Sequence, residues 1–285
     1  MENKYGPWIQ TYSGICFEPL SPNPASINLI DVIHALSMMN RFGGHQRPPY
    51  SVGQHTLRVV TEVEKKCLSL GWNEERTLRV RLGAWKHDGS EGLGLADIVR
   101  PIKKTKQLEG YVEIENVVDD ALSKKLDLFL DEEERNLVKW ADNRALAGEV
   151  RDNLHISDKK WEIRAEPYEE DTQYWSYGVI KVNLFRVYSQ IIHAMRDRKK
   201  RREDLLFDVE RYLQTLAPGL VSGGSSYRHY GGNVYGVVGV SLDKHTLMPM
   251  ISYSDGKYTW TQELFLWEEY VPIEGGRLVP RFSPV

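Results

Sequence analysis

The chain has 285 residues, 41% hydrophobic and 27% charged, which is enough apolar material for one large domain or for a domain with a smaller module. A formal net charge of -3 argues against an overall basic surface for nucleic acid or an anionic membrane. The two cysteines, Cys16 and Cys67, sit in no CxxC or Cys/His spacing, which argues against a disulfide scaffold or a zinc finger and reads as reduced cytoplasmic thiols.

The opening "MENKYGPWIQ" lacks the apolar core of a signal peptide, and no run of about 18 apolar residues follows it, so a cytoplasmic protein without a membrane span is expected. Residues 7–30 hold four prolines and read as an irregular or short-stranded lead-in. Asn28 or Ser26 then caps a helix carrying Ile30, Ile33 and Leu36. After "GGHQRPPYS", Ser51 starts a second helix with the stripe Val52, Val59, Val60, Val63 and Cys67, and Gly71 ends it. Asn73 caps a third helix, with Glu74 and Glu75 at its positive end. Further helical patterns cover 111–127 (Val112, Ile114, Val117, Val118 and Leu122), 131–151 with Asp131 as cap, and 174–198. Segment 153–173 is polar and acidic and reads as a loop. The basic run "RDRKKRRED" at 196–204 reads as a solvated helix end rather than a phosphate contact.

Composition changes near residue 220. "GLVSGGSSYRHYGGN" is rich in glycine and serine, and "VYGVVGVSL", "LMPMISYSD" and "YTWTQELFLWEEYVPI" carry β-type patterns. The expected fold is mainly α, with a helical domain over 1–218, a Gly/Ser linker at 219–226 and a small all-β module at 227–285. So small a module buries little core alone, so it is expected to lean on the helical domain or a partner chain.

Four residues stand out within the helical part. His55 lies on the inward face of the second helix, His87 and Asp88 end the third, and Asp142 adjoins Ala141 and Ala145. Burying such groups without partners costs several kcal/mol, on the order of 2–7 for each uncompensated polar group. A shared divalent cation resolves all four at once, and two imidazoles with two carboxylates suit Mn, Fe, Co, Ni or Zn, with Mg also admitted.

The order H…HD…D on separate helices resembles the HD superfamily of metal-dependent phosphohydrolases. "HALSMMNRFGGH…YSVGQHT", "KHDGSE", "ADIVRPIKK" and "ADNRALAGE", within residues 8–200, look like successive motifs of its 5′-deoxynucleotidase branch and of related phage enzymes. The resemblance implies an HD-type helical bundle, with metal ligands His55, His87, Asp88 and Asp142. It implies that Arg41 and Phe42 contact the nucleotide, that Glu91 activates water and that Asp97 protonates the leaving group. His45 and Lys103 are further candidate substrate contacts. The spacer "GLGLA" before Asp97 is one residue longer than the family's usual one, and its two glycines can absorb the difference. The implied substrate is a (deoxy)nucleoside 5′-monophosphate, and the implied assembly is a homo-oligomer, a dimer or larger.

Two other readings remain open on sequence: a deoxynucleoside triphosphate triphosphohydrolase, and a non-catalytic nucleotide sensor. The C-terminal segment, through "YRHY", "T-L-x-P-M" and "VPRF", resembles a short domain of unknown function found in bacterial and phage proteins, which implies an architecture and no chemistry.

Overall fold

A computed structural model of the chain describes residues 6–216, 220–221, 223–272 and 277–285. The lead-in forms a short ribbon, β1 (Ile9–Gln10) paired antiparallel with β2 (Cys16–Phe17), followed by a 3-10 turn at Pro24–Ser26. The helices that follow start where their caps predict. Asn28, not Ser26, caps α1 (Leu29–Met38) by accepting from the Ile30 N–H. Ser51 caps α2 (Val52–Leu70), which ends on Gly71 in the left-handed region. Asn73 caps α3 (Glu74–Lys86). The short α4 (Arg100–Lys103) and then α5 (Glu109–Lys125) lead to α6 (Glu132–Asn153), whose start is a full capping box between Asp131 and Glu134.

The predicted stripe of α2 is buried throughout, and α2 packs on α1, α3 and α6. Trp85 on α3 and Ala141 and Ala145 on α6 complete this core. On α5 only Val118, Ala121 and Leu122 are buried, while Val117, expected on the inward face, is exposed. Val117 lies about 100° around the helix from Val118, at the edge of the stripe that Val118, Ala121 and Leu122 form.

The chain divides into two compact units, and the division differs from the composition boundary at 218. One unit runs up to Trp175 and includes Ala194–Arg196; the other holds Ser176–His193 and the residues from Asp197 onward. Helices α7 (Tyr177–Ala194) and α8 (Arg198–Leu213), both within the expected helical domain over 1–218, group with the strands. The physical reason is direct contact. Ser189 Oγ donates to the Thr246 carbonyl at 2.6 Å, and the Phe265 ring lies 5.8 Å from both Phe185 and Tyr212. The expected dependence of the β module on helices is therefore met by α7 and α8.

In this second unit β3 (Ser226–His229), β4 (Val234–Leu242), β5 (Pro249–Ser254), β6 (Thr259–Glu263) and a later strand form an antiparallel sheet. A helical turn, α9 (Leu264–Trp267), interrupts the run read as continuous β, because Leu264, Phe265 and Trp267 turn together into the core. β7 (Tyr270–Pro272) pairs with β8 (Leu278–Pro280), and β9 (Phe282–Pro284) closes the sheet in the order β6-β5-β4-β3-β9. The expected linker 219–226 lies partly outside the described residues. Its described end is no free tether: Gly224 N–H donates to Val237 O at 2.9 Å, and Ser226 already belongs to β3. The basic run is not a simple solvated end either. Arg201 is buried against Asp197, and Arg202 binds the carbonyls of Lys244 and His245. Among the described residues no helix is long and apolar enough to cross a membrane, and Cys16 and Cys67 are free.

Candidate metal centre

His55 projects from the first turns of α2 and is fully buried. His87 and Asp88 follow the last residue of α3, where the chain turns sharply under α5. A side chain on Gly89 would place its Cβ 2.3 Å from Leu122 Cδ2 and 2.8 Å from the Lys86 carbonyl, so only glycine permits this approach. Asp142 comes from the middle of α6.

These elements bring the predicted ligands together. His55 Nε2 lies 3.2 Å from His87 Nε2, 3.2 Å from Asp142 Oδ1 and 3.6 Å from Asp88 Oδ2. His87 Nε2 lies 3.1 Å from Asp88 Oδ2. Donor atoms of His55, His87 and Asp142 all fall within 4.8 Å of one another, with Asp88 against both imidazoles. A cavity of about 580 Å³ opens on His87, Asp88 and Asp142 from the side of α3, α5 and α6.

The outer ring nitrogens show what the inner ones can do. His55 Nδ1 sits 2.6 Å from Glu149 Oε1, and His87 Nδ1 sits 2.7 Å from the Ala84 carbonyl. A carboxylate and a carbonyl only accept, so both Nδ1 atoms carry the hydrogen. Both Nε2 lone pairs then point at each other and at carboxylate oxygens. Such a convergence needs a proton or a cation between its members. Ligand nitrogens and oxygens held at 2.0–2.1 Å in tetrahedral order stand about 3.3 Å apart, which the observed spacings match. Tying the far nitrogen of each ligating histidine to an acceptor is also how metal sites fix ring orientation. The donor set therefore fits a divalent transition metal.

The electrostatics agree. Burial and the Arg41 charge oppose a proton on His55, but the Glu149 charge and the hydrogen bonds His55 donates to Asp142 and Glu149 override them and raise its pKa to about 9. Burial works against ionised Asp88 and Asp142, yet the neighbouring histidines hold both well below the usual carboxylate range. The outer oxygen of Asp142 is bound by Arg100, a contact the sequence reading did not assign.

Arg41 and Phe42 stand beside this cluster. The Arg41 N–H donates to Tyr50 O at 3.0 Å, its Nε donates to Glu149 Oε2 at 2.9 Å, and Nη1 lies 3.8 Å from Asp88 Oδ2. Phe42 has φ +55, a conformation costing about 1–3 kcal/mol for a side-chain-bearing residue. Its ring meets Trp161 edge-on at 6.1 Å, from the segment read as a polar loop. His45 is exposed in the turn that follows.

Glu91, in a 3-10 turn packed on α1, is buried, and its Oε2 has no hydrogen-bond partner among the described residues. Burial first, then the charges of Asp88 and Asp97, raise its carboxyl to about 9 against the pull of Arg41 and Lys103. Asp97 is half-buried, and its charge acts on both Glu91 and Arg41. The spacer before it uses Gly94 at φ +91, which an L side chain rarely adopts. Lys103 Nζ bonds Glu115 at 2.6 Å and lies 3.9 Å from Glu91 Oε1. Sequence reasoning missed Glu149. Its signals were its place as the last residue of "ADNRALAGE" and a seven-residue spacing from Asp142, which repeats a helix face.

Residues 225–284 match the family described as a protein of unknown function, DUF1653. An uncharacterized protein of Rhodobacter capsulatus is 31% identical over 111 residues, which is 38% of this chain and 53% of that protein. The chain thus spans about half the length of this curated relative. Among solved structures, the HD phosphohydrolase DatZ of cyanophage S-2L, bound to dA and one catalytic Zn2+ ion, superposes with a TM-score of 0.38 and 16% identity. The superposition covers 65% of this chain and 96% of that one.

Proposed function

We propose that the chain is a metal-dependent phosphohydrolase that removes phosphate from (deoxy)nucleoside 5′-monophosphates. The observation that carries this reading is the convergence of His55, His87, Asp88 and Asp142, with both outer imidazole nitrogens already committed as donors. The HD-type motifs of the sequence agree with it. A divalent cation held by these four residues would supply Lewis acidity and a water acidified toward neutral pH.

The remaining work falls to side chains of this chain. Arg41, with its fixed charge and several donors, binds a phosphoryl oxygen. With positive charge beside Asp88 favouring the Glu91 carboxylate, its unpartnered Oε2 takes a proton from the attacking water, whose oxygen bonds to phosphorus. The bond from phosphorus to the 5′ oxygen breaks, its electron pair stays on that oxygen, and Asp97 donates the proton that completes the alcohol. Phe42 and Trp161 offer aromatic surface beside Arg41 for the nucleoside.

The test is a nucleotide panel on protein stripped by chelator and reloaded with Mn, Co, Zn, Ni, Fe or Mg. Inorganic phosphate released from 5′-monophosphates only after reloading is the expected result. Release of triphosphate from deoxynucleoside triphosphates instead would replace this substrate class. Tight nucleotide binding by fully loaded protein without turnover would make the chain a sensor.

A further inference from the structure

We propose that Glu149 is a positioning residue that fixes the cation ligand His55 and the phosphate-binding Arg41 relative to each other, one carboxylate oxygen for each. The inference rests on the phosphohydrolase reading of this site. Oε1 accepts from His55 Nδ1 at 2.6 Å, and Oε2 accepts from Arg41 Nε at 2.9 Å. Glu149 and His55 are fully buried and Arg41 nearly so; no water is needed to complete either contact.

The grip on His55 is two-sided. Asp142 and Glu149 stand seven residues apart on α6, two turns or about 10 Å along the axis. Asp142 Oδ1 faces the inner nitrogen of the ring, and Glu149 Oε1 faces the outer one. One helix face therefore holds the imidazole at both ends. Glu149 sits between two donors, and each of its oxygens faces one of them. As a carboxylate it accepts at both oxygens. His55 must then keep its hydrogen on Nδ1, and its Nε2 lone pair stays turned to the centre.

An amide cannot do the same. In Glu149→Gln the side chain has one accepting oxygen and one donating nitrogen. Either orientation sets the amide N–H2 against a donor, His55 Nδ1–H or Arg41 Nε–H. The strain is relieved only by moving the His55 hydrogen to Nε2, which removes the ligand lone pair, or by releasing Arg41.

Zn2+ titration of metal-stripped protein against a chromophoric chelator reads the first limb. Glu149→Gln is expected to weaken Zn2+ binding about 10–100-fold, whereas Arg41→Ala, which leaves the His55 contact intact, does not weaken it. The second limb is read at saturating Zn2+. The KM for a nucleoside 5′-monophosphate rises in Glu149→Gln and in Arg41→Ala, and the double variant is no worse than Arg41→Ala alone. Unchanged Zn2+ affinity in folded Glu149→Gln overturns the proposal. Should that variant not fold, 15N-histidine NMR of the Zn2+-loaded native protein decides. A hydrogen-bonded proton on His55 Nδ1 supports the assignment, and Zn2+ at Nδ1 overturns it. If Zn2+ affinity falls as expected but no nucleotide is hydrolysed by the native protein, the phosphohydrolase reading fails while the hold on His55 stands.

Discussion

Replacing Glu91 by glutamine should stabilise the metal-free protein, and the gain should grow with pH. The Glu91 carboxyl has an ordinary value of 4.5 that burial, Asp88 and Asp97 raise to about 9. Between those values the folded state holds a proton that the unfolded state has released. Stability then falls as pH rises, by about 1.4 kcal/mol per pH unit from this one group. At pH 7 the chain stands 2.5 pH units above the ordinary value of 4.5, so the cost is about 3 kcal/mol. The figure depends little on the exact folded value, because the group stays protonated at pH 7 whenever that value is well above 7.

Glutamine has the shape of the protonated acid and no proton to lose. Thermal melts of both proteins in chelator should coincide near pH 4.5 and separate steadily above it. By pH 7 the variant should melt roughly 6–12 °C higher, at about 2–4 °C per kcal/mol for a unit of this size. Asp88 and Asp142 titrate in both proteins, so their contributions largely cancel in the difference. Adding a divalent cation should shrink the gap, since positive charge beside Asp88 favours the Glu91 carboxylate. A difference that stays flat between pH 5 and 8 would falsify the account of Glu91 as a repelled, buried acid.

Other outcomes follow from the same geometry. His87→Ala and Asp88→Ala should each lose bound metal, measured by elemental analysis, together with turnover; either variant retaining both refutes the ligand assignment. Gly89→Ala forces a Cβ onto Leu122 and the Lys86 carbonyl, so it should cost about 1–3 kcal/mol in urea unfolding and weaken metal binding by tilting the His-Asp turn. Lys181 is buried over the Phe265 ring, 3.8 Å from Glu268, and burial lowers its pKa from 10.5. Its neutral form is the one folding favours, so this group's contribution rises with pH up to 10.5. Lys181→Met should add about 1 kcal/mol at pH 7 and flatten that rise, with Glu268 still held by Tyr212; a loss of stability would show the ion pair to be net favourable.

Much of the helical scaffold was legible because its signals are local. Ser51, Asn73 and Asp131 each accept from a backbone N–H three residues on, a contact the sequence shows directly. His55 was legible because its neighbours Val52 and Val59 fix which way its helix faces. The second unit was harder. An amphipathic α7 reads the same whether it packs on helices or on a sheet, whereas the composition changes only near residue 220. α9 was hidden for a related reason: four consecutive residues with three apolar ones satisfy a strand pattern as easily as one helical turn.

Glu149 marks where such reading stops. Around it the sequence is "AGEVRDN", an acidic residue among charges near a helix end, which is how a solvated carboxylate looks. What makes it a core residue is a pair of partners 94 and 108 residues away, His55 and Arg41. His55 was identified by its apolar helix face, and Arg41 through the resemblance to the HD family's Arg-aromatic pair. Both carry donors that burial leaves unsatisfied unless an acceptor is supplied. Two buried donors at one end of a proposed anion site, with Asp142 already on the facing helix, demand a carboxylate one or two turns along from it. The spacing of seven meets that demand, so the missing member of the site could be reached by asking where the hydrogen bonds of the residues already found must end.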